Sequence, residues 1–289
     1  MSVADLSDAA LAALFERAAA FATGTPVPPA LAGRTVATVF FEPSTRTRLS
    51  FDVAAQSLGA RVLAFDKASS SDVKGETLLD TVRNLEALGV SLFVVRHALS
   101  GAADFVARHV RARVVNAGDG AHQHPTQGLL DAFTLWRAWG TLAHKTIVIA
   151  GDIAHSRVAR SSASLFRRLG AQVVLSGPPS LVPPEAECLG EREIDFDKAL
   201  QNADAVMMLR YQKERHLDVA GSSGDFTQGW GLTEARARRL KAGALVMHPG
   251  PINRGVEIHD AVADGPRSVI LEQARNGVFV RQAVLEALA

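Results

Sequence analysis

The chain has 289 residues, of which 47% are apolar and 21% charged, with a formal net charge of +1. That length suits about two domains with cores that need no staples, and so balanced a charge gives no footprint for nucleic acid or a membrane surface. The single cysteine, Cys188, excludes an intramolecular disulfide and a thiolate metal cluster, and it fits a reducing, cytoplasmic compartment.

Leu6, Leu11, Leu14, Ala18 and Phe21 recur at helical spacing, so the chain is expected to open with an amphipathic helix, broken at Thr25-Pro-Val-Pro-Pro-Ala30. Asp5, Asp8 and Glu16 fall in this region without a basic start before an apolar run, so it does not read as a signal peptide. The predicted strands follow at Thr35–Phe41, Arg61–Phe65, Ser91–Arg96, Arg113–Asn116, Thr146–Gly151, Gln172–Ser176, Ala205–Leu209 and Ala244–His248. Thr45–Leu58, Glu76–Leu88 and Ser156–Leu169 are long enough for crossover helices. Alternation of this kind predicts an α/β protein of two doubly wound domains, each a mainly parallel sheet covered by helices, with the active site in the cleft between them. The helical stretch Gln127–Trp139 separates two groups of four strands, so the boundaries are set at 1–133 and 134–289. The last helix, about Arg267–Leu288, has the option of packing back on the first domain. No apolar stretch reaches the ~18 residues that suggest a membrane span.

Phe40-Phe41-Glu42-Pro43-Ser44-Thr45-Arg46-Thr47-Arg48 follows an apolar strand and opens a helix whose buried face includes Phe51, Ala54, Ala55 and Leu58. Free N–H groups at a helix start, with hydroxyls and a guanidinium beside them, suit a phosphate dianion. An N-cap would explain Ser44 but not four such residues in a row.

This run resembles the carbamoyl-phosphate motif of the aspartate and ornithine carbamoyltransferases. Further motifs come in that family's order: Lys74-Gly-Glu-Thr77, Val95-Arg-His97, His124-Pro-Thr-Gln127, Asp152 to Ser156-Arg157, Leu209-Arg-Tyr-Gln-Lys-Glu-Arg215 and His248-Pro-Gly-Pro251. The resemblance implies that residues 1–133 bind carbamoyl phosphate and 134–289 bind aspartate. Ser44, Thr45, Arg46 and Thr47 would hold the phosphate, with Thr47 also reaching the carbamoyl oxygen. Arg96 would bridge phosphate and carbonyl, although alone it reads as a surface residue at a strand end. His124 would donate to the carbonyl oxygen and Gln127 would bind the carbamoyl NH2, although a lone histidine is more often structural. His122 and His124 have no nearby carboxylate cluster, so a metal site is rejected.

The loop Ser69-Ser-Ser-Asp-Val-Lys74 reads by default as solvated. By resemblance it enters the neighbouring subunit's site, donating Lys74 and Ser70, with Ser69 and Ser71 flanking the serine. Arg157 and Arg210 would clamp the two carboxylates of aspartate, assisted by Gln212. Pro249 and Gly250 would offer carbonyls to the carbamoyl nitrogen and the amine, while the turn also serves as a rigid loop end.

The ornithine branch must accept a cation, and its usual His-Cys-Leu-Pro turn and Ser-Met-Gly segment do not occur here. The arginine-rich segment after Leu209 and Glu42 before the phosphate motif agree with the aspartate branch. Gly250 and Asn253-Arg254-Gly255 depart from one well-known version and leave the regulatory assembly open. The expected reaction is direct attack of the aspartate amine on carbamoyl phosphate, an early step of pyrimidine biosynthesis, with no cofactor and no covalent enzyme intermediate. Ala150-Gly-Asp-Ile-Ala154 lacks Gly-x-Gly-x-x-Gly, so no nicotinamide role is expected. The family implies a catalytic homotrimer with shared sites, and regulatory or dihydroorotase-like partner chains stay open. A non-catalytic scaffold and a transferase for another acidic amine are the alternatives.

Overall fold

Residues 2–24, 28–66, 77–211 and 223–289 are described by a computed structural model. The chain divides into two units, Met1–Phe133 with Arg275–Ala289, and Thr134–Ala274.

The first unit opens with α1 (Asp8–Ala22). The Ser7 hydroxyl caps it by accepting from Ala10 N at 3.1 Å, and Leu11, Phe15, Ala18 and Phe21 form the buried face. Four strands follow: β1 (Thr35–Phe40), β2 (Arg61–Asp66), β3 (Leu92–His97) and β4 (Arg113–Asp119). Every residue of β1 is buried, as expected for an inner strand covered on both faces. Between and after them run α2 (Thr45–Ser57), α3 (Leu78–Ala87), α4 (Ala102–His109) and α5 (Pro125–Trp139). The sheet order is β2-β1-β3-β4, with every pair parallel. The chain winds one way from β1 to β2 and the other way from β3 to β4, so the order reverses between β1 and β3. A crevice at the carboxyl ends of such strands is where open α/β sheets bind ligands.

The second unit contains β5 (Thr146–Ala150), α6 (Arg157–Arg168), β6 (Gln172–Ser176), β7 (Glu191–Arg192), α7 (Phe196–Leu200), β8 (Ala205–Met208), α8 (Ser223–Trp230), α9 (Glu234–Arg239), β9 (Leu245–Met247) and α10 (Asp260–Ala263). Its parallel sheet has the order β7-β6-β5-β8-β9, which reverses between β5 and β8. The expected four strands are therefore five. β7 is only two residues long, Glu191 and Arg192, and without an apolar run it leaves no periodic signal. The last helix, α11 (Ile270–Glu286), begins in this unit and ends in the first. There, Arg17 grips Glu286 through its guanidinium Nε and Nη2 at 2.5 and 2.6 Å, joining α11 to α1. Among the described residues, no helix is long and apolar enough to cross a membrane.

Phe51 on α2 is fully buried, and the Arg281 guanidinium of α11 lies 5.0 Å from its ring centroid. Phe51→Ala is expected to destabilise the first unit by ~3–5 kcal/mol, through lost burial and an unfilled cavity, read as a lower urea midpoint.

Candidate functional site

In the first unit the candidate donor residues sit at three adjacent strand ends. β1 pairs with β3 so that Phe40 lies opposite Arg96, and Phe41 N donates to Arg96 O at 2.9 Å. Past β1 the chain turns into α2 at Ser44, whose side chain makes no capping hydrogen bond. Its hydroxyl therefore leaves the first-turn N–H groups to another acceptor, and an anion suits them. Thr45 and Arg46 are exposed in that turn, whereas Thr47 is buried. Arg96 Nε lies 3.5 Å from a Glu42 carboxylate oxygen, so an ion pair links the carboxyl ends of β1 and β3.

His124 is placed by the turn after β4, and one carboxylate organises that turn. Asp119, 2% exposed, accepts from Gly101 N at 2.6 Å, from the Asn116 side-chain amide at 2.8 Å and from Gln123 N at 3.2 Å. His122 Nδ1 lies 3.0 Å from the same carboxylate, so this histidine serves the turn. His124 is buried immediately before α5, and its carbonyl accepts from Gln127 N and Gly128 N.

One turn further along α5, Gln127 Nε2 donates to Asp131 Oδ1 at 2.9 Å. A carboxylate only accepts, so the amide must present its NH2 to Asp131, which leaves the Gln127 oxygen as an acceptor. Asp131 in turn faces Arg281, a side chain buried in the first unit's core. Burial holds that guanidinium down to about 10, the Asp131 carboxylate opposes the shift, and nearby Arg96 adds to it.

In the second unit the candidate residues follow β5, β8 and β9. Asp152, fully buried, accepts from His155 N at 3.1 Å and lies 2.9 Å from His155 Nδ1. That turn delivers the chain to α6, where the Ser156 hydroxyl accepts from Ala159 N at 3.0 Å. Unlike α2, this helix is capped, and Arg157 at its first position contributes a side chain rather than free amides. Arg210 follows β8 on the neighbouring strand, where Leu209 N donates to Ala150 O at 2.7 Å. Tyr211 is buried beside it, its ring centroid 4.7 Å from that of Phe226. Its hydroxyl titrates above the ordinary range because of burial first, then the Asp152 and Asp225 carboxylates.

Beyond β9, Pro249 and Gly250 form a partly buried turn in which Gly250 adopts φ 69°. A side chain there would be strained, which explains the glycine. Gly250 N donates to His248 Nδ1 at 2.7 Å, and His248 Nε2 lies 3.2 Å from the fully buried Glu257 carboxylate.

The structure thus brings Ser44, Thr45, Arg46, Thr47, Arg96, His124 and Gln127 to one edge of the first sheet. Arg157, Arg210, Pro249 and Gly250 come to the carboxyl ends of the second. Ser70, Lys74 and Gln212, with Ser69 and Ser71, lie outside the described residues. Sequence reasoning missed Asp119, Asp131, Arg281 and Glu257, which are buried charges supporting the candidate residues from behind.

The model described as "Aspartate/ornithine carbamoyltransferase, carbamoyl-P binding domain" matches residues 1–137, and its "Asp/Orn binding domain" counterpart matches 143–288. An aspartate carbamoyltransferase catalytic subunit from Myxococcus xanthus is 56% identical over 279 residues, covering 96% of this chain and 94% of the relative. One from Sorangium cellulosum is 53% identical over 266 residues, covering 90% and 82%. Aspartate transcarbamoylase from Trypanosoma cruzi, solved with carbamoyl aspartate and phosphate, is similar in fold with a TM-score of 0.90 at 32% identity, covering 99% and 94%. This chain belongs to the aspartate/ornithine carbamoyltransferase family.

Proposed function

We propose that the chain transfers the carbamoyl group of carbamoyl phosphate to the amine of L-aspartate, giving N-carbamoyl-L-aspartate and phosphate. This is the chemistry of an early step in pyrimidine biosynthesis. The observation that carries the donor half is the start of α2, uncapped by Ser44 and with Arg46 in its first turn, one strand away from Arg96. Support for the acceptor comes from relatives called aspartate carbamoyltransferase, and from the Trypanosoma cruzi enzyme solved with carbamoyl phosphate and aspartate together.

In this reading, Ser44, Thr45, Arg46 and Thr47 bind the phosphate with the α2 amides. The uncharged amine attacks the carbonyl carbon, and the new C–N bond creates a tetrahedral oxyanion. Thr47, Arg96 and His124 stabilise that charge as it develops. The Gln127 oxygen and the Pro249 and Gly250 carbonyls accept from the carbamoyl nitrogen and the amine. The C–O bond to phosphate then breaks, and the departing phosphate takes the amine proton. Arg157, Arg210 and Gln212 hold the aspartate carboxylates, so much of the acceleration comes from orienting two anions together.

The assembly proposed is a cytoplasmic catalytic homotrimer in which Ser70 and Lys74 enter a neighbour's site. α2 leaves Leu49 and Val53 exposed one turn apart, and the edge strand β2 exposes Leu63. Apolar side chains on adjoining elements support burial by another copy.

Purified protein given carbamoyl phosphate is expected to form carbamoyl-aspartate with L-aspartate, form no product with L-ornithine, and sediment as three chains. Turnover of ornithine alone would overturn the acceptor. A folded protein that binds carbamoyl phosphate without turnover would favour a scaffold.

A further inference from the structure

β8 and β9 run side by side, with Met207 opposite Met247, so the segments leaving them emerge together at one sheet edge. One segment carries Arg210 and Tyr211, the other His248, Pro249 and Gly250. A single buried carboxylate joins them. Glu257 Oε1 accepts from Asn253 N at 2.5 Å and lies 3.2 Å from His248 Nε2, while Oε2 lies 3.4 Å from Tyr211 N. The Asn253 side-chain amide adds a second tie, donating to Tyr211 O at 2.8 Å.

The imidazole protonation follows from these partners. A backbone amide only donates, so His248 Nδ1 must accept from Gly250 N, and the ring proton sits on Nε2, facing the carboxylate. The Gln273 side-chain oxygen, which accepts from His248 N at 2.9 Å, anchors the same residue from α11. Among the described residues, these contacts lead from the carboxylate to the backbone of Gly250 and to Tyr211, the neighbour of Arg210. A fully buried acid is costly unless its partners are in place, and an apolar side chain would fill the same volume more cheaply. What an apolar residue cannot do is hold two strand-end segments at fixed hydrogen-bond distances.

We propose that Glu257 is the positioning residue of the acceptor half, setting Gly250 through His248 and Arg210 through Tyr211 and Asn253. The proposal rests on the assignment of Arg210 and Gly250 to aspartate made above. Glu257 touches no substrate in this scheme; it fixes the geometry with which substrate is met.

The test is steady-state kinetics on the full chain, varying each substrate separately, for wild type, Glu257→Gln and Asn253→Ala, with thermal unfolding of each. Glu257→Gln keeps the size and one acceptor oxygen but turns an NH2 toward donors. It is expected to raise KM for aspartate about 10-fold or more, the scale of effect that small misplacement produces. Inhibition by inorganic phosphate stays unchanged, because it reads the first unit, and KM for carbamoyl phosphate rises less than that for aspartate, because Gly250 is its one contact with this network in the scheme above. Asn253→Ala shifts aspartate KM in the same direction by less, and it alone decides the matter if Glu257→Gln does not fold. Wild-type aspartate KM in the folded variants, or an equal rise in KM for both substrates, overturns the positioning role. A wild type inactive with aspartate overturns the acceptor reading and this proposal with it, whereas an active wild type with unaltered variants overturns only the role of Glu257.

Discussion

Arg46→Ala is expected to lower carbamoyl-aspartate formation by about 100-fold or more, the usual scale for removing a preorganised donor from a developing anion. The side chain is exposed in the first turn of α2, so its removal leaves no cavity, and thermal unfolding should match wild type. Both kcat and the affinity for carbamoyl phosphate should fall, since the guanidinium would hold the phosphate in the ground state and as it leaves. Arg46→Lys should recover only part of the loss, because an ammonium keeps the charge without the planar fork. Initial rates with carbamoyl phosphate varied would settle it, and a folded alanine variant with full activity would remove α2 from the donor site.

Arg210→Ala carries the second large effect, and it falls on the other substrate. Truncating one member of a desolvated charge pair costs ~2–5 kcal/mol, so kcat/KM for aspartate should drop by ~30-fold or more. Arg210 is half-buried and follows β8 directly, its neighbour Leu209 bonded to Ala150 of β5 through the backbone at 2.7 Å. The backbone that presents it thus survives the substitution. Affinity for carbamoyl phosphate should not change. An equal loss for both substrates would mean that the substitution has disturbed more than a carboxylate contact.

The α/β class, the strand ends and the residues displayed on them are legible in the sequence, because buried parallel strands are apolar runs and the polar residues just past them stand out. β7 is not legible: its pairing with β6 depends on where the chain returns, and Glu191-Arg192 carries no pattern of its own. The start of α2 was ambiguous for a different reason. Ser44 has the composition of a cap, and only the structure shows that its side chain makes no capping hydrogen bond. Glu257, Asp131 and Arg281 were invisible because their roles are non-local. Glu257 Oε2 lies 3.4 Å from Tyr211 N, 46 positions away, and Arg281 lies over Phe51 from the far end of the chain. In the sequence each is one more charged residue among many.

Each of the two parallel sheets has its own point of strand-order reversal, β1 against β3 and β5 against β8. Under the proposed function each reversal faces a different substrate, the activated donor at the first sheet and the amine at the second. Mutational change can act on one without reopening the other. A family built this way can diversify the amine it accepts by drift in the loops after β5 and β8, while the activated donor and its chemistry are inherited intact.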